Sequence, residues 1–143
     1  MYRKILVALE NGRADETLLP HIGKLARQVG AELFLVHVAD GFAARNFHML
    51  KLAESQEMKD DRAYLESAAA KLREQGLTVT VKLALGDPPE QILKSAEEFN
   101  CDLIAMTTHG HRFFGDLLFG STINEVRHKA TAAVLLVCAG TPS

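Results

Sequence analysis

The run Ile5-Leu6-Val7-Ala8-Leu9 is apolar without interruption, and Glu10-Asn11-Gly12 ends it. A strand with one wet face would alternate polar and apolar residues. A continuous Ile/Leu/Val run instead suits a strand covered on both faces, which is the habit of parallel sheets. Leu18, Ile22, Leu25, Ala26 and Val29 follow at helical spacing, and Gly30 supplies a stop. Residues 32–38, ELFLVHV, then return to a β-rich run. Strand, amphipathic helix and strand in that order make a βαβ unit, with a right-handed crossover.

The same alternation continues along the chain. Residues 77–85 (LTVTVKLAL) alternate most clearly, which places that strand at an edge. Residues 103–106 and 133–137 are the remaining β runs. Pro20 is expected in the first turn of the first helix, which would then start near Glu16 or Thr17. Leu65, Ala68, Ala69 and Leu72 form the stripe of a second helix, ended by Gly76. Asp87-Pro88-Pro89-Glu90 reads as a helix start, with Asp87 as N-cap, Pro88 at the first helical position and Glu90 reaching back. Ile92, Leu93, Ala96 and Phe99 follow on one face, and Ile123, Val126 and Ala130 make the last stripe. The order β-α-β-α-β-α-β-α-β predicts a single α/β domain over residues 1–143, with a doubly wound parallel sheet of five strands. Residues 42–61 are the least regular stretch, readable as a broken helix or as a loop covering a site.

Composition narrows the function. The chain has 143 residues, 48% hydrophobic and 24% charged, with a formal net charge of −2. That size can bury roughly 70% of the unfolded surface. The charge leaves no cationic excess for neutralising many phosphates, which argues against nucleic acid. There is no apolar run long enough to insert in a membrane. Arg3 and Lys4 precede only five apolar residues, so the N-terminus reads as a buried strand of a cytoplasmic protein and not as a signal peptide. Cys101 and Cys138 are far apart and outside any CxxC, so buried structural thiols are expected. His109 and His111 offer at most two metal ligands where a catalytic zinc takes three, so no metal site is expected.

Ligands of open α/β sheets sit beyond the carboxyl ends of the strands, where strand order reverses. The loop after strand four is therefore informative: Thr107-Thr108-His109-Gly110-His111-Arg112-Phe113-Phe114-Gly115-Asp116-Leu117-Leu118-Phe119-Gly120-Ser121-Thr122. Its glycines allow close backbone approach to an anion. Gly120-Ser121-Thr122 is expected to open the last helix, whose amides and dipole favour a phosphate. Simple capping by Ser121 or Thr122, with Glu125 closing a box, is the competing reading. There is no Gly-Lys-[Ser/Thr] of a Walker A loop and no GxGxxG fingerprint. GxSxG and HExxH are also absent, and no dedicated catalytic base is identifiable.

The combination resembles the universal stress proteins of the UspA type. Their nucleotide-binding members carry Gly, two residues, Gly, nine residues and then Gly-Ser or Gly-Thr. Gly110, nine residues and Gly120-Ser121 match that spacing. Ile5-Leu6-Val7-Ala8, Gly86-Asp87-Pro88, Val126 and Ala133-Val134-Leu135-Leu136-Val137 are similar to further family positions, so the likeness covers essentially the whole chain. The resemblance implies a Rossmann-like sheet of order 3-2-1-4-5. It implies a homodimer joined through strand five, Ala132-Ala133-Val134-Leu135-Leu136-Val137, with an unidentified regulatory protein as partner. The implied ligand is ATP or another adenine nucleotide, with or without Mg2+. By position, Ala8, Glu10 and Val38 would line the adenine and ribose pocket. Thr107 and Gly110 would flank ribose and phosphates, and Arg112, Gly120, Ser121 and Thr122 would hold the phosphates. The expected role is a stress-response regulator in which the nucleotide orders the loop 107–120. The alternatives are a nucleotide-free, chaperone-like dimer with Thr107 closing the pocket, and a weak ATPase or autophosphorylating protein using Ser121. Two positions depart from the pattern: Thr107 replaces the first glycine, and Glu10 replaces the usual Asp. A β-branched residue resists positive φ and adds bulk where main chain should approach the ligand.

Overall fold

The computed structural model describes residues 1–39, 56–108 and 117–139, with the backbone alone for 117–120. The strands are β1 (Lys4–Leu9), β2 (Glu32–Ala39), β3 (Val79–Leu85), β4 (Leu103–Thr108) and β5 (Ala133–Cys138). The helices are α1 (Asp15–Val29), α2 (Gln56–Glu74), α3 (Pro88–Glu98) and α4 (Leu117–Lys129). All pairings are parallel and the sheet runs β3-β2-β1-β4-β5. The alternating β3 is an edge strand, as its pattern predicts.

The two-faced burial that the first strand implies is visible residue by residue. Ile5, Val7, Leu9, Leu33, Leu35, Leu103 and Ala105 pack on one side with Leu18 and Ile22 of α1 and Leu65, Ala69 and Leu72 of α2. Leu6, Ala8, Val36, Ile104 and Met106 pack on the other side with Ile92 and Ala96 of α3 and Val126 of α4. Phe34 stacks on Phe99 just beyond α3, with centroids 4.5 Å apart, and seats that end of the helix. At the opposite end of the sheet, the Asp102 carboxylate accepts the amides of Arg3 and Lys4 and joins the starts of β1 and β4.

Three local expectations are corrected. Helix α1 begins at Asp15, so Pro20 is its sixth residue and not part of its first turn. Main-chain bonds Asp15→Gly12, Glu16→Arg13 and Thr17→Ala14 wind the chain before the proline is reached. Helix α4 begins at Leu117, so Gly120 is its fourth residue and Ser121-Thr122 enter its second turn. Leu117 and Leu118 are good helix formers, so the helix can begin ahead of the glycine. Thr122 is therefore no N-cap, and Glu125 faces Lys129 at 3.9 Å instead of closing a box. Of the irregular stretch 42–61, residues 56–61 belong to α2 and the rest lies outside the described residues. Gly30 stops α1 as expected, at φ 72°, with its amide donating to Ala26.

Candidate functional site

Strand order reverses between β1 and β4, which continue to α1 and α4 on opposite faces. Their ladder ends at Val7↔Ala105. Beyond it, β1 still pairs with β2 as far as Leu9↔His37, and β4 with β5 as far as Thr108↔Cys138. The last residues of β1 and β4 thus stop bonding each other, and a cavity of about 580 Å³ stands there. That volume is ordinary for a small-molecule site. A larger groove of about 990 Å³ runs along α3 and the end of α4 toward Cys101 and Ala132 at the starts of β4 and β5, away from the carboxyl ends of the strands, and shares Asp87 and Glu125 with the cavity.

The cavity brings together six of the residues expected at the site: Ala8, Glu10, Val38, Thr107, Ser121 and Thr122. Gly120 is placed in the first turn of α4, whereas Gly110 and Arg112 lie outside the described residues. Ala8, Val36, Val38, Ile92 and Met106 supply an apolar surface. Glu10 contributes a carboxylate at the mouth of β1, and Ser121 and Thr122 bring hydroxyls from α4.

Thr107 sits in regular strand. Among the described residues, positive φ outside glycine occurs only at Asn11 and Asn100. Leu103 and Ala105 face α1 and α2, whereas Ile104 and Met106 face α3 and α4. By strand alternation the Thr107 side chain belongs with Leu103 and Ala105, away from Ser121 and Thr122. It is 3% exposed, and among the described residues its Oγ1 has no hydrogen-bond partner.

A polar network on the α1–α2 side holds the β1 end of the cavity. Asp15 is 1% exposed. Its carboxylate accepts the amide of Glu10 at 3.0 Å, the amide of Asn11 at 2.9 Å and the Tyr64 hydroxyl at 2.6 Å. Burial, followed by the bond to Asp15, pushes the Tyr64 phenol well above its usual range. Asn11, at φ 60°, donates from its side chain to Asp61 at 2.5 Å. His37 Nδ1 meets the Leu9 carbonyl at 2.9 Å, and its Nε2 stands 3.7 Å from Asp61. The turn after β1 is thereby clamped to α2. In the sequence Asp61 reads as part of a solvated charged run. It is 8% exposed, because α2 turns that position onto His37 and Asn11. Nothing local signals that Asp15 and Tyr64 meet, since 49 residues separate them.

The thiols differ from expectation. Cys138 is exposed on β5 and Cys101 is half-buried. Burial, reinforced by the Asp102 charge, pushes the Cys101 thiol up to about 12.

The sheet order and the position of the cleft define an open, doubly wound α/β domain with a cavity at its switch point. A model of the universal stress protein family matches residues 1–137, and the chain belongs to that family. It is 32% identical to a universal stress protein of Methanothermobacter thermautotrophicus over 96% of each chain. It is 28% identical to universal stress protein MJ0577 of Methanocaldococcus jannaschii, covering 96% of this chain and 95% of the relative. The solved structure of MJ0577 superposes with a TM-score of 0.78, at 26% identity and 99% coverage of both chains. A universal stress protein in complex with cAMP has a TM-score of 0.72 at 18% identity, covering 97% of this chain and 98% of that one. Another, from Archaeoglobus fulgidus in complex with dAMP, has a TM-score of 0.71 at 22% identity, covering 95% and 98%.

Proposed function

We propose that this chain binds an adenine nucleotide in the cleft between β1 and β4 and acts as a stress-response regulator, a homodimer of the cytoplasm. The observation that carries the reading is the composition of the cleft. An apolar surface wide enough for a base ends on one side at a carboxylate, Glu10, and on the other at the hydroxyls of Ser121 and Thr122. A purine would lie against Ala8, Val36, Val38 and Met106. Ribose hydroxyls would donate to Glu10, and phosphate oxygens would accept from Ser121 and Thr122. Gly110, Gly120 and Arg112 complete the phosphate grip in this reading, which the family's glycine spacing supports. The cAMP and dAMP complexes speak for what the fold accommodates; the case for this chain rests on its own cleft. The alternation that turns Thr107 toward α1 speaks against a pocket closed by that side chain.

Subunit pairing would run along β5. This edge strand is apolar, and Leu136 is 38% exposed. An open apolar edge invites pairing with another strand, and a second copy supplies it.

Native mass spectrometry of freshly purified protein tests the ligand. The expected result is a mass increment of one adenine nucleotide per chain, released on denaturation. Bare chains that also give no heat with AMP or ATP in calorimetry would refute the reading.

A further inference from the structure

We infer that Asp15 is a positioning residue for the cleft: its buried carboxylate aims Glu10, so that the site reads the hydroxyls of a ribose as well as the base and the phosphate. This inference rests on the nucleotide reading above and concerns how one part of that ligand is recognised. Glu10 and Asn11 belong to the cavity wall, whereas Asp15 and Tyr64 stand behind it. Asp15 therefore acts on a ligand only through the turn that follows β1.

The pairing of β1 with β2 ends at Leu9↔His37, so Glu10 and Asn11 lie beyond the ladder. The two oxygens of Asp15 take over there. Oδ1 accepts the Glu10 amide at 3.0 Å and Oδ2 the Asn11 amide at 2.9 Å. One planar group thus fixes two successive peptide units, and with them the direction in which the Glu10 side chain leaves the main chain. Asn11 takes φ 60°, uncommon outside glycine, and its side chain is tied to Asp61 of α2. The Tyr64 hydroxyl, also from α2, holds Asp15 at 2.6 Å. Asp15 sits at the start of α1, yet its bonds go back to the turn and across to Tyr64 instead of to the amides of its own helix. At 1% exposure it has given up water for those donors. Burying a carboxylate is costly, and what this one secures is the geometry of the cleft's rim. A carboxylate offers about four acceptor sites, so Glu10 can receive ribose hydroxyls beside the interaction it already makes. With the turn pinned beforehand, it meets them without first having to be ordered, and the saving appears as affinity. The apolar wall against the base and the hydroxyls for the phosphate come mainly from β2, β4 and α4, and so do not depend on this turn.

Calorimetry with AMP and with its dideoxyribose analogue, which lacks both ribose hydroxyls, tests the assignment. Wild type should bind AMP at least about tenfold more tightly than the analogue, the scale of lost bonds to a charged group. In Asp15→Asn, which keeps the shape but gives up one acceptor, that gap should shrink to about threefold or less, with the affinity for the analogue within about twofold of wild type. In a Glu10→Ala background, Asp15→Asn should change AMP affinity by less than about twofold, because the carboxylate it aims is gone. Tyr64→Phe leaves both amide bonds in place and should narrow the gap by a smaller factor, about twofold. It decides the matter should circular dichroism show Asp15→Asn unfolded. An equal loss of both ligands, or losses that add to those of Glu10→Ala, would overturn the inference, since Asp15 would then support the fold alone. So would an unchanged gap in the folded variant, or a wild type that binds the two ligands equally. If wild type binds neither, the nucleotide reading itself has failed.

Discussion

Thr107 is the residue at which the chain departs from its family's glycine pattern, and its surroundings explain why the departure is tolerable. The position keeps ordinary strand geometry, so no left-handed backbone is demanded of a β-branched residue. Its buried hydroxyl, without a partner among the described residues, is a liability, because such a group keeps its desolvation cost without a bond. Thr107→Val keeps the shape and removes the hydroxyl. It should raise stability by about 1 kcal/mol in urea unfolding, and a loss of stability would show that Oγ1 has a partner. Tyr64 and Asp15 are a second case. The phenol's raised pKa means the fold prefers it neutral. Its contribution is complete below the unfolded value of about 10 and is lost as pH climbs from there toward the higher folded value. Tyr64→Phe should therefore cost about 1 kcal/mol near neutrality, with the difference from wild type shrinking above about pH 10. A pH-independent difference would separate Tyr64 from that titration. Cys101 and Cys138 should part under a thiol reagent at about pH 8, where a thiolate is the reacting species. In unpaired chains Cys138 should react well before the half-buried Cys101; equally fast thiols would contradict the raised pKa of Cys101.

At the scale of elements, Gly86 makes the turn between β3 and α3 at φ 134°, with the Gln91 side chain 3.2 Å from where a Cβ would stand. Gly86→Ala should cost about 1–3 kcal/mol in denaturant unfolding, and an unchanged midpoint would mean the turn relaxes freely. This turn was legible in the sequence, since Gly-Asp-Pro-Pro combines a helix start with a residue free to take positive φ. The five strands were legible for a similar reason: continuous Ile/Leu/Val runs have few other uses in a chain of this composition. Helix starts were less so. Pro20 suggests a late start for α1, yet the turns at Gly12 to Ala14 nucleate the helix earlier. Gly120-Ser121-Thr122 looks like a helix mouth, yet Leu117 and Leu118 start α4 ahead of it. Glu10 and Thr107 were legible because the loops after strands one and four flank the switch point, whereas Ala8 and Val38 came only from the resemblance to the family. The clamp of Asp15, Tyr64, Asn11, Asp61 and His37 was not. It joins three elements through side chains whose spacing carries no period, and only the docking of α2 brings them together.

For the whole molecule, the five-stranded sheet has one covered problem and one open one. Its centre is buried on both faces by α1 and α2 and by α3 and α4. Its β5 edge offers an apolar strand with Leu136 and Cys138 exposed. If two copies pair there, Leu136→Arg should convert a dimer to a monomer in sedimentation velocity while leaving the far-UV circular dichroism unchanged. A wild type that sediments as a monomer at micromolar concentration would remove the pairing from the account. The net charge of −2 leaves no cationic excess for neutralising many phosphates, which argues against nucleic acid as a partner.

The claim on which function depends is that a nucleotide phosphate is received at the first turns of α4. Titrating AMP into wild type and into Gly120→Val by calorimetry tests it most directly, with circular dichroism verifying that both are folded. The account predicts one site per chain in the wild type and no measurable heat of binding in the folded variant. Equal affinity in the two proteins would contradict it.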